Sequence, residues 1–148
     1  MGVRGSYRDD PAWNPLTIHL MCLDTTAQSG DKVQELVRKH TPEKTGELKA
    51  SVTQGPITRP YKTWYRIEVF SEDPKARWIE RGTPPHVIKP RKEGGSLSIR
   101  GKQYSEVHHP GNDGYHMFAR GGSEFEQLHA ELIAERNLRK FLKARTTT

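Results

Sequence analysis

The chain is short of what large folds and secreted folds are built from. Cys22 is its one cysteine, so no intrachain disulfide can form and a zinc cluster built on thiolates is excluded. A single thiol suits assembly in a reducing cytoplasm. Hydrophobic residues make up 32% and aromatics 8%, against 28% charged residues, so the core must be thin and much of the surface polar. No apolar run approaches a membrane span, and the first residues lack the apolar stretch of a signal peptide, so no membrane partner is expected. No internal repeat is present. A length of 148 residues suits one domain with a core and not two.

Catalytic patterns are missing as well. There is no HExxH, no paired-cysteine knuckle and no nucleophile elbow. Gly94-Gly95-Ser96 and Gly121-Gly122-Ser123 lack the Walker lysine and the dinucleotide spacing. Cys22 lies in a helical apolar stripe, where a thiol behaves as a small hydrophobe. A nuclease needs several carboxylates to hold magnesium; Glu68, Glu72, Asp73 and Glu80 fall at surface-like positions. Glu80 stands apart from them, beside Arg81-Gly82-Thr83, where it is placed to cap or pair locally. The densest group of potential metal ligands is His108, His109, Asp113 and His116, with His86 nearby. Adjacent His108 and His109 point to opposite faces of an extended segment, which spoils the cluster. The expectation is no enzyme, no cofactor and no metal.

What the chain has is positive charge, placed unevenly. The net charge is +6 and the isoelectric point about 9.5. Residues 1–50 hold seven basic and seven acidic side chains, while residues 51–92 hold nine basic and four acidic. The surplus sits in the middle, where Arg77, Arg81, Lys89, Arg91 and Lys92 follow Tyr61, Trp64 and Tyr65. Basic residues with interleaved aromatics suit sequence-independent contact with nucleic acid. No helix-turn-helix, zinc-finger or RNP pattern supports base-specific readout.

Periodicity orders the rest. Residues 1–15 read as a flexible arm, residues 16–145 as one α+β domain, and residues 146–148 as a frayed tail. Leu16, Leu20, Leu23 and Ala27, then Val33, Leu36 and Val37, fall at helical spacing, with Ser29-Gly30-Asp31 as a weak point or a break. Asp31 would cap a second helix if the chain breaks there. Pro42 ends the helical stretch. Thr45-Gly46 is a turn, and Glu47–Val52 a helical turn leading into a strand. Trp64–Phe70 is the best strand, with Tyr65, Ile67 and Val69 on one face. Arg59-Pro60 reads as a turn before it, and Ala76–Glu80 as a short helix after it. Residues 82–95 read as a long basic loop, and Leu97–Ile99 with Tyr104–Val107 as a hairpin around Arg100-Gly101-Lys102. His109–Gly114 reads as another turn. The last segment, from about Ser123 to Ala144, reads as an amphipathic helix with Ser123 as its N-cap. Strands cluster between helices and do not alternate with them, which makes the class α+β: an N-terminal helix, a small antiparallel sheet with a long basic loop, and a C-terminal amphipathic helix.

Four blocks occur in a fixed order. Pro42, Thr45, Gly46, Leu48 and Ser51 form a Pro-x-x-Thr-Gly-x-Leu-x-x-Ser segment after the first helix. Glu80, Gly82 and Thr83 form a Glu-x-Gly-Thr block after the aromatic strand. Pro85-His86, the basic stretch Lys89–Lys92, and the His109-Pro110-Gly111 turn follow, and Tyr115-His-Met-Phe118 leads into the last helix. In these blocks the chain resembles the tail-component family of lambdoid and related siphophages, whose members act at the neck between head and tail. The resemblance covers about residues 33–135. It departs at Arg81, where an aromatic is common, and at residues 1–15, which have no counterpart.

The resemblance implies a structural protein of the virion, assembled in the host bacterial cytoplasm. It would form a homo-oligomeric ring, taken as sixfold, at the head–tail junction. Its neighbours would be a head-side connector or stopper protein and the tail tube or tail terminator, with transient non-specific contact to the genome. Arg77, Arg81, Lys89, Arg91 and Lys92 are then the expected DNA-channel or inter-ring contacts. Thr45, Gly46, Gly82, Thr83, Pro110 and Gly111 are the expected structural turns. The rival expectation is a small basic nucleic-acid-binding accessory protein that works alone.

Overall fold

The computed structural model describes residues 15–44, 46–62 and 64–146. The expected N-terminal arm therefore lies outside the described residues except for Pro15, as do Thr45 and Thr147–Thr148 of the expected frayed tail. The fold is α+β. Helix α1 runs unbroken over Pro15–His40, about 39 Å at a rise of ~1.5 Å per residue. Gly30 does not interrupt it. That residue is buried where ribbon side chains press on the helix, and a Cβ there would meet Ile67 Cδ1 and Gln54 Oε1. Asp31 caps nothing; its carboxylate accepts from Gln54 Nε2 at 2.7 Å.

After a turn and the short helix α2 (Glu47–Ser51), two long interrupted hairpins fill the middle of the chain. The first pairs β1 (Val52–Gln54) with β4 (Val69–Ser71), and β2 (Thr58–Tyr61) with β3 (Trp64–Arg66), all antiparallel. The pairs are nested, and the Gly55 amide donating to the Glu68 carbonyl at 2.9 Å continues the ladder between them. Residues 52–71 are thus one bent ribbon. The single strand expected over Trp64–Phe70 is broken at Ile67-Glu68 by the bend, and the Arg59-Pro60 turn lies inside β2. The expected facing holds: Tyr65, Ile67 and Val69 are half-buried, while Trp64, Arg66 and Glu68 are exposed.

Helix α3 (Lys75–Arg81) separates this ribbon from the second one. There β5 (Gly82–Thr83) pairs with β10 (Asn112–Asp113), β6 (His86–Ile88) with β9 (Val107–His109), and β7 (Leu97–Ile99) with β8 (Lys102–Tyr104). Residues 82–95 are therefore not one long loop, and the turn expected over His109–Gly114 is a bend at Pro110-Gly111 between β9 and β10. Pairing between segments some 25 residues apart lends the ladder partners that local sequence cannot reveal. The expected hairpin is present, but its second strand starts at Lys102. Arg100 and Gly101, both at positive φ, form the two-residue turn that matches strand twist.

The C-terminal helix is two helices, α4 (Met117–Leu128) and α5 (Ala130–Thr146), bent at His129. The hydrogen-bond ladder crosses the bend through His129 N–H to Phe125 O and Ile133 N–H to His129 O. Both helices pack against α1, so the helical layer lies behind the first ribbon. Ser123 sits inside α4 and is not its cap.

The core is as thin as composition implies. Val37, Val52, Ala76 and Met117 form its centre, one from each of α1, β1, α3 and α4. Val33, Leu48, Val69, Ile79 and Phe118 close around it. Farther along, buried Asn137 of α5 is satisfied by α1: its amide donates to Thr25 Oγ1 at 3.1 Å and its carbonyl accepts from Gln28 Nε2 at 3.2 Å. Gln34 Nε2 and Arg38 Nη2 both donate to the Val52 carbonyl, at 2.9 and 2.8 Å, and fasten the first ribbon to α1.

Candidate functional site

Several residues of the blocks singled out in the sequence, among them Pro42, Leu48, Glu80 and Tyr115, meet at a junction near the C-terminal end of α1. Thr41 is buried there; its hydroxyl donates to Val37 O at 2.7 Å and lies 3.4 Å from Met117 Sδ. Gly46 precedes α2 in the left-handed region and its carbonyl accepts the Ala50 amide. Glu80, on α3, turns its carboxylate to the start of α4. Phe118 N–H donates to Oε2 at 2.9 Å and Ala119 N–H to Oε1 at 3.2 Å. An anion at a helix N-terminus satisfies orphan amides and complements the helix dipole. The expected capping role is real, but it spans 38 positions and is not local. It also explains why α4 starts at Met117.

Two further bonds stitch the same seam: Tyr115 N–H to Ile79 O at 2.7 Å and His116 N–H to Glu80 O at 3.2 Å. Gly82 follows at φ 73°, where any Cβ would overlap the Asn112 carbonyl, so the block needs glycine. Thr83 donates from both its amide and its hydroxyl to Asn112 Oδ1, at 3.2 and 2.5 Å. Pro110-Gly111 makes the bend between β9 and β10, with the Gly111 amide donating to His109 Nδ1 at 3.1 Å. Of the expected structural turns, Gly82 and Thr83 meet the strand that Pro110-Gly111 delivers; Gly46 lines a cavity together with Lys75 and Ile79 of α3.

Beside the seam lies an apolar slot of about 500 Å³ lined by Pro42, Leu48, Ile79 and Tyr115, with Lys44 and Lys75 at its mouth. Sequence reasoning missed it. Its only advance signal was that three of its residues belong to the ordered blocks.

The expected DNA-facing cations do not form one cluster. Arg77 and Arg81 are exposed on one side of α3, one turn apart, next to Phe70 and Phe118. Lys89, Arg91 and Lys92 lie out on the second ribbon beyond β6, all exposed. Lys89 Nζ is 3.9 Å from Glu106 Oε2, and the Lys92 carbonyl closes a tight turn by accepting the Gly95 amide. Together with Arg100 and Lys102 they give residues 89–104 five basic side chains against Glu93 alone. This distal part packs on no helix to any extent, and Val87, Ile88, Ile99 and Tyr104 are 42, 38, 44 and 41% exposed. The first ribbon ends differently. Tyr61 and Trp64 meet edge to face at its tip with centroids 6.0 Å apart, and Arg59 lies over the Tyr65 ring.

Among the described residues, no three His, Cys, Asp or Glu side chains are grouped to hold a metal. His86 stacks on its register partner His109 with centroids 5.1 Å apart, and His86 Nδ1 donates to the Pro84 carbonyl. His108 lies on the opposite side of the strand, near Glu106. Among the described residues, the carboxylate held below the ordinary range is Glu124 of α4. Lys39 Nζ donates to its Oε1 at 2.6 Å and His40 Nε2 to its Oε2 at 2.7 Å, and both favour the charged form. That pair pins α4 to the end of α1. No helix among the described residues is long and apolar enough to cross a membrane.

No protein-family model matches the chain, and no curated protein and no solved structure matches it either.

Proposed function

We propose that the chain is a structural subunit of the head–tail joint of a long-tailed bacteriophage. In this reading it assembles into a closed ring that connects the head-side connector to the tail and lines the path of the DNA. The observation that carries the reading is the second ribbon. A two-stranded ribbon standing alone in water is marginal, and this one leaves apolar side chains open and concentrates five cations in its distal part. Such an element is completed by neighbours in an assembly, and a closed ring of identical subunits supplies them. The basic stretch suits a channel through which DNA slides, where phosphate attraction without base reading is sufficient. Parts of the ordered blocks support the same reading in a second way: Glu80 and Tyr115 tie α3 to the start of α4, and Gly82 pairs with Asp113 at the base of the second ribbon. Neck, tail-completion and tail-terminator positions all fit this role.

The test is electron microscopy of lysates from a phage in which this gene alone is disrupted. DNA-filled heads lying beside separate finished tails place the protein at the joint. Tails of uncontrolled length move it to tail termination, and intact infectious particles overturn the reading.

The tip of the first ribbon favours one rival, a basic nucleic-acid-binding accessory protein. Trp64 and Tyr61 are 66 and 69% exposed beside Arg59, Lys62 and Arg66, a set suited to stacking on bases. The rival requires nanomolar DNA binding by the isolated subunit at moderate salt. The joint protein binds weakly until it assembles.

A further inference from the structure

The slot at the junction is apolar inside and basic at its mouth. Lys44 has no ion-pair partner among the described residues, and Lys75 meets Glu47 at a loose, exposed 3.4 Å. Lys44 and Lys75 are the charged residues among those that line the slot, so its lining carries positive charge alone. Its volume lies within the range of sites that take a bulky side chain or small ligand. An occupant should therefore carry a large apolar side chain next to carboxylates.

The chain contains one such segment outside the described residues, Asp9-Asp10-Pro11-Ala12-Trp13. It cannot reach its own slot. Trp13 stands two residues before the start of α1, a span of at most ~7 Å. Pro42 lies just past the opposite end of that helix, about 39 Å away along an unbroken rod. Leu16 and Leu20 are 65 and 55% exposed on α1. An end of the helix that carries uncovered leucines is therefore the one that continues into the acidic, tryptophan-bearing segment.

We infer that Trp13 of one copy seats in the Pro42–Leu48–Ile79–Tyr115 slot of the next copy, with Asp9 and Asp10 against Lys44 and Lys75. The contact joins two different surfaces, so it is heterologous and repeats from copy to copy until a ring closes. It rests on the ring reading above and supplies the contact that builds it. A tryptophan in an apolar pocket with a charged rim is the composition of an interface hot spot.

Crosslinking of the full chain tests this. In a Cys22→Ser background, Asn14→Cys is combined with Glu47→Cys, which lies beside Lys75 and leaves both lysines in place, and the protein is treated with a short bis-maleimide. The expected product is a ladder of covalent oligomers, with each single-cysteine variant stopping at dimer. An intramolecular product overturns the exchange between copies. No product from a protein that sizing shows to be oligomeric overturns the inference and leaves the ring standing.

If the protein shows neither product nor oligomer, the ring reading fails and a second measurement decides the slot. A fluorescein-labelled peptide of residues 7–15 is titrated into full-length Trp13→Ala protein and followed by anisotropy. Saturable binding, weakened tenfold or more by Lys44→Glu with Lys75→Glu, is the expected result. Absence of binding overturns the assignment of the slot.

Discussion

The two ribbons are built alike and placed differently. Each is a nested set of antiparallel pairs, each is basic, and each leaves the junction beside α3. The first lies along α1 and buries Val52, with Ile67, Val69 and Tyr65 half-covered. The second touches the rest of the chain mainly at its base, through β5 and α3. Within one chain, the first ribbon is a wall of the domain and the second is an arm. A strand that feeds a core and a strand left open to solvent differ in what their apolar residues meet, and the first kind contributes most to the stability of the isolated subunit.

Mutations should separate them. The largest effect is expected at the core end. Met117→Ala removes the centre of the cluster that Val52 joins and should cost about 2–5 kcal/mol in urea unfolding. Ile99→Ala on the arm should stay within about 0.5 kcal/mol in the same experiment. Equal losses would erase the distinction between wall and arm.

The seam comes next. Glu80→Ala strips the carboxylate from two α4 amides and should destabilise by about 1–2 kcal/mol, with Glu80→Gln milder because an acceptor oxygen remains. Amide exchange should then accelerate first at residues 117–121 and only afterwards in the first ribbon. Uniform acceleration would mean that Glu80 holds the whole fold and not one seam.

Charge on the arm should matter to DNA and not to folding. Replacing Lys89, Arg91 and Lys92 together by Ala should leave the unfolding midpoint nearly unchanged. The dependence of DNA retention by assembled protein on salt should flatten by about 2–3 in log–log slope. An unchanged slope would remove these three from the DNA path.

The smallest effect concerns pH. The Glu124 carboxyl titrates below its unfolded value because Lys39 and His40 donate to its charged form. Its stabilising contribution is therefore complete above the unfolded carboxylate value and is lost as pH falls through the lower folded value. Glu124→Gln should flatten the stability profile below about pH 4.5 and change little near neutrality. High salt should shrink the difference, since the pair is near the surface.

The first ribbon was readable in the sequence because its face alternates: Tyr65, Ile67 and Val69 point one way, and burial follows the period of two. The second ribbon was readable only at its tip, where Arg100-Gly101 carries local turn chemistry. Its strands at Gly82–Thr83 and His86–Ile88 carry no alternation and take their partners from residues 107–113, so they read as loop. Helix α1 was legible, but Gly30 left one helix or two open, because its reason, the pressure of Ile67, is tertiary. The start of α4 was misplaced to Ser123 because its cap comes from Glu80 on another element. The ordered blocks gave no sign that Glu80 and Tyr115 meet across the α3–α4 seam. The slot between them was invisible, since a cavity is a property of packing and not of any residue in it.

Whether this subunit completes itself by assembling is tested most directly by electron microscopy of the purified full chain. Closed rings of one diameter are expected, with the second ribbon covered by a neighbour or turned into the lumen. A monodisperse monomer at high concentration, with the arm still bare, would contradict it.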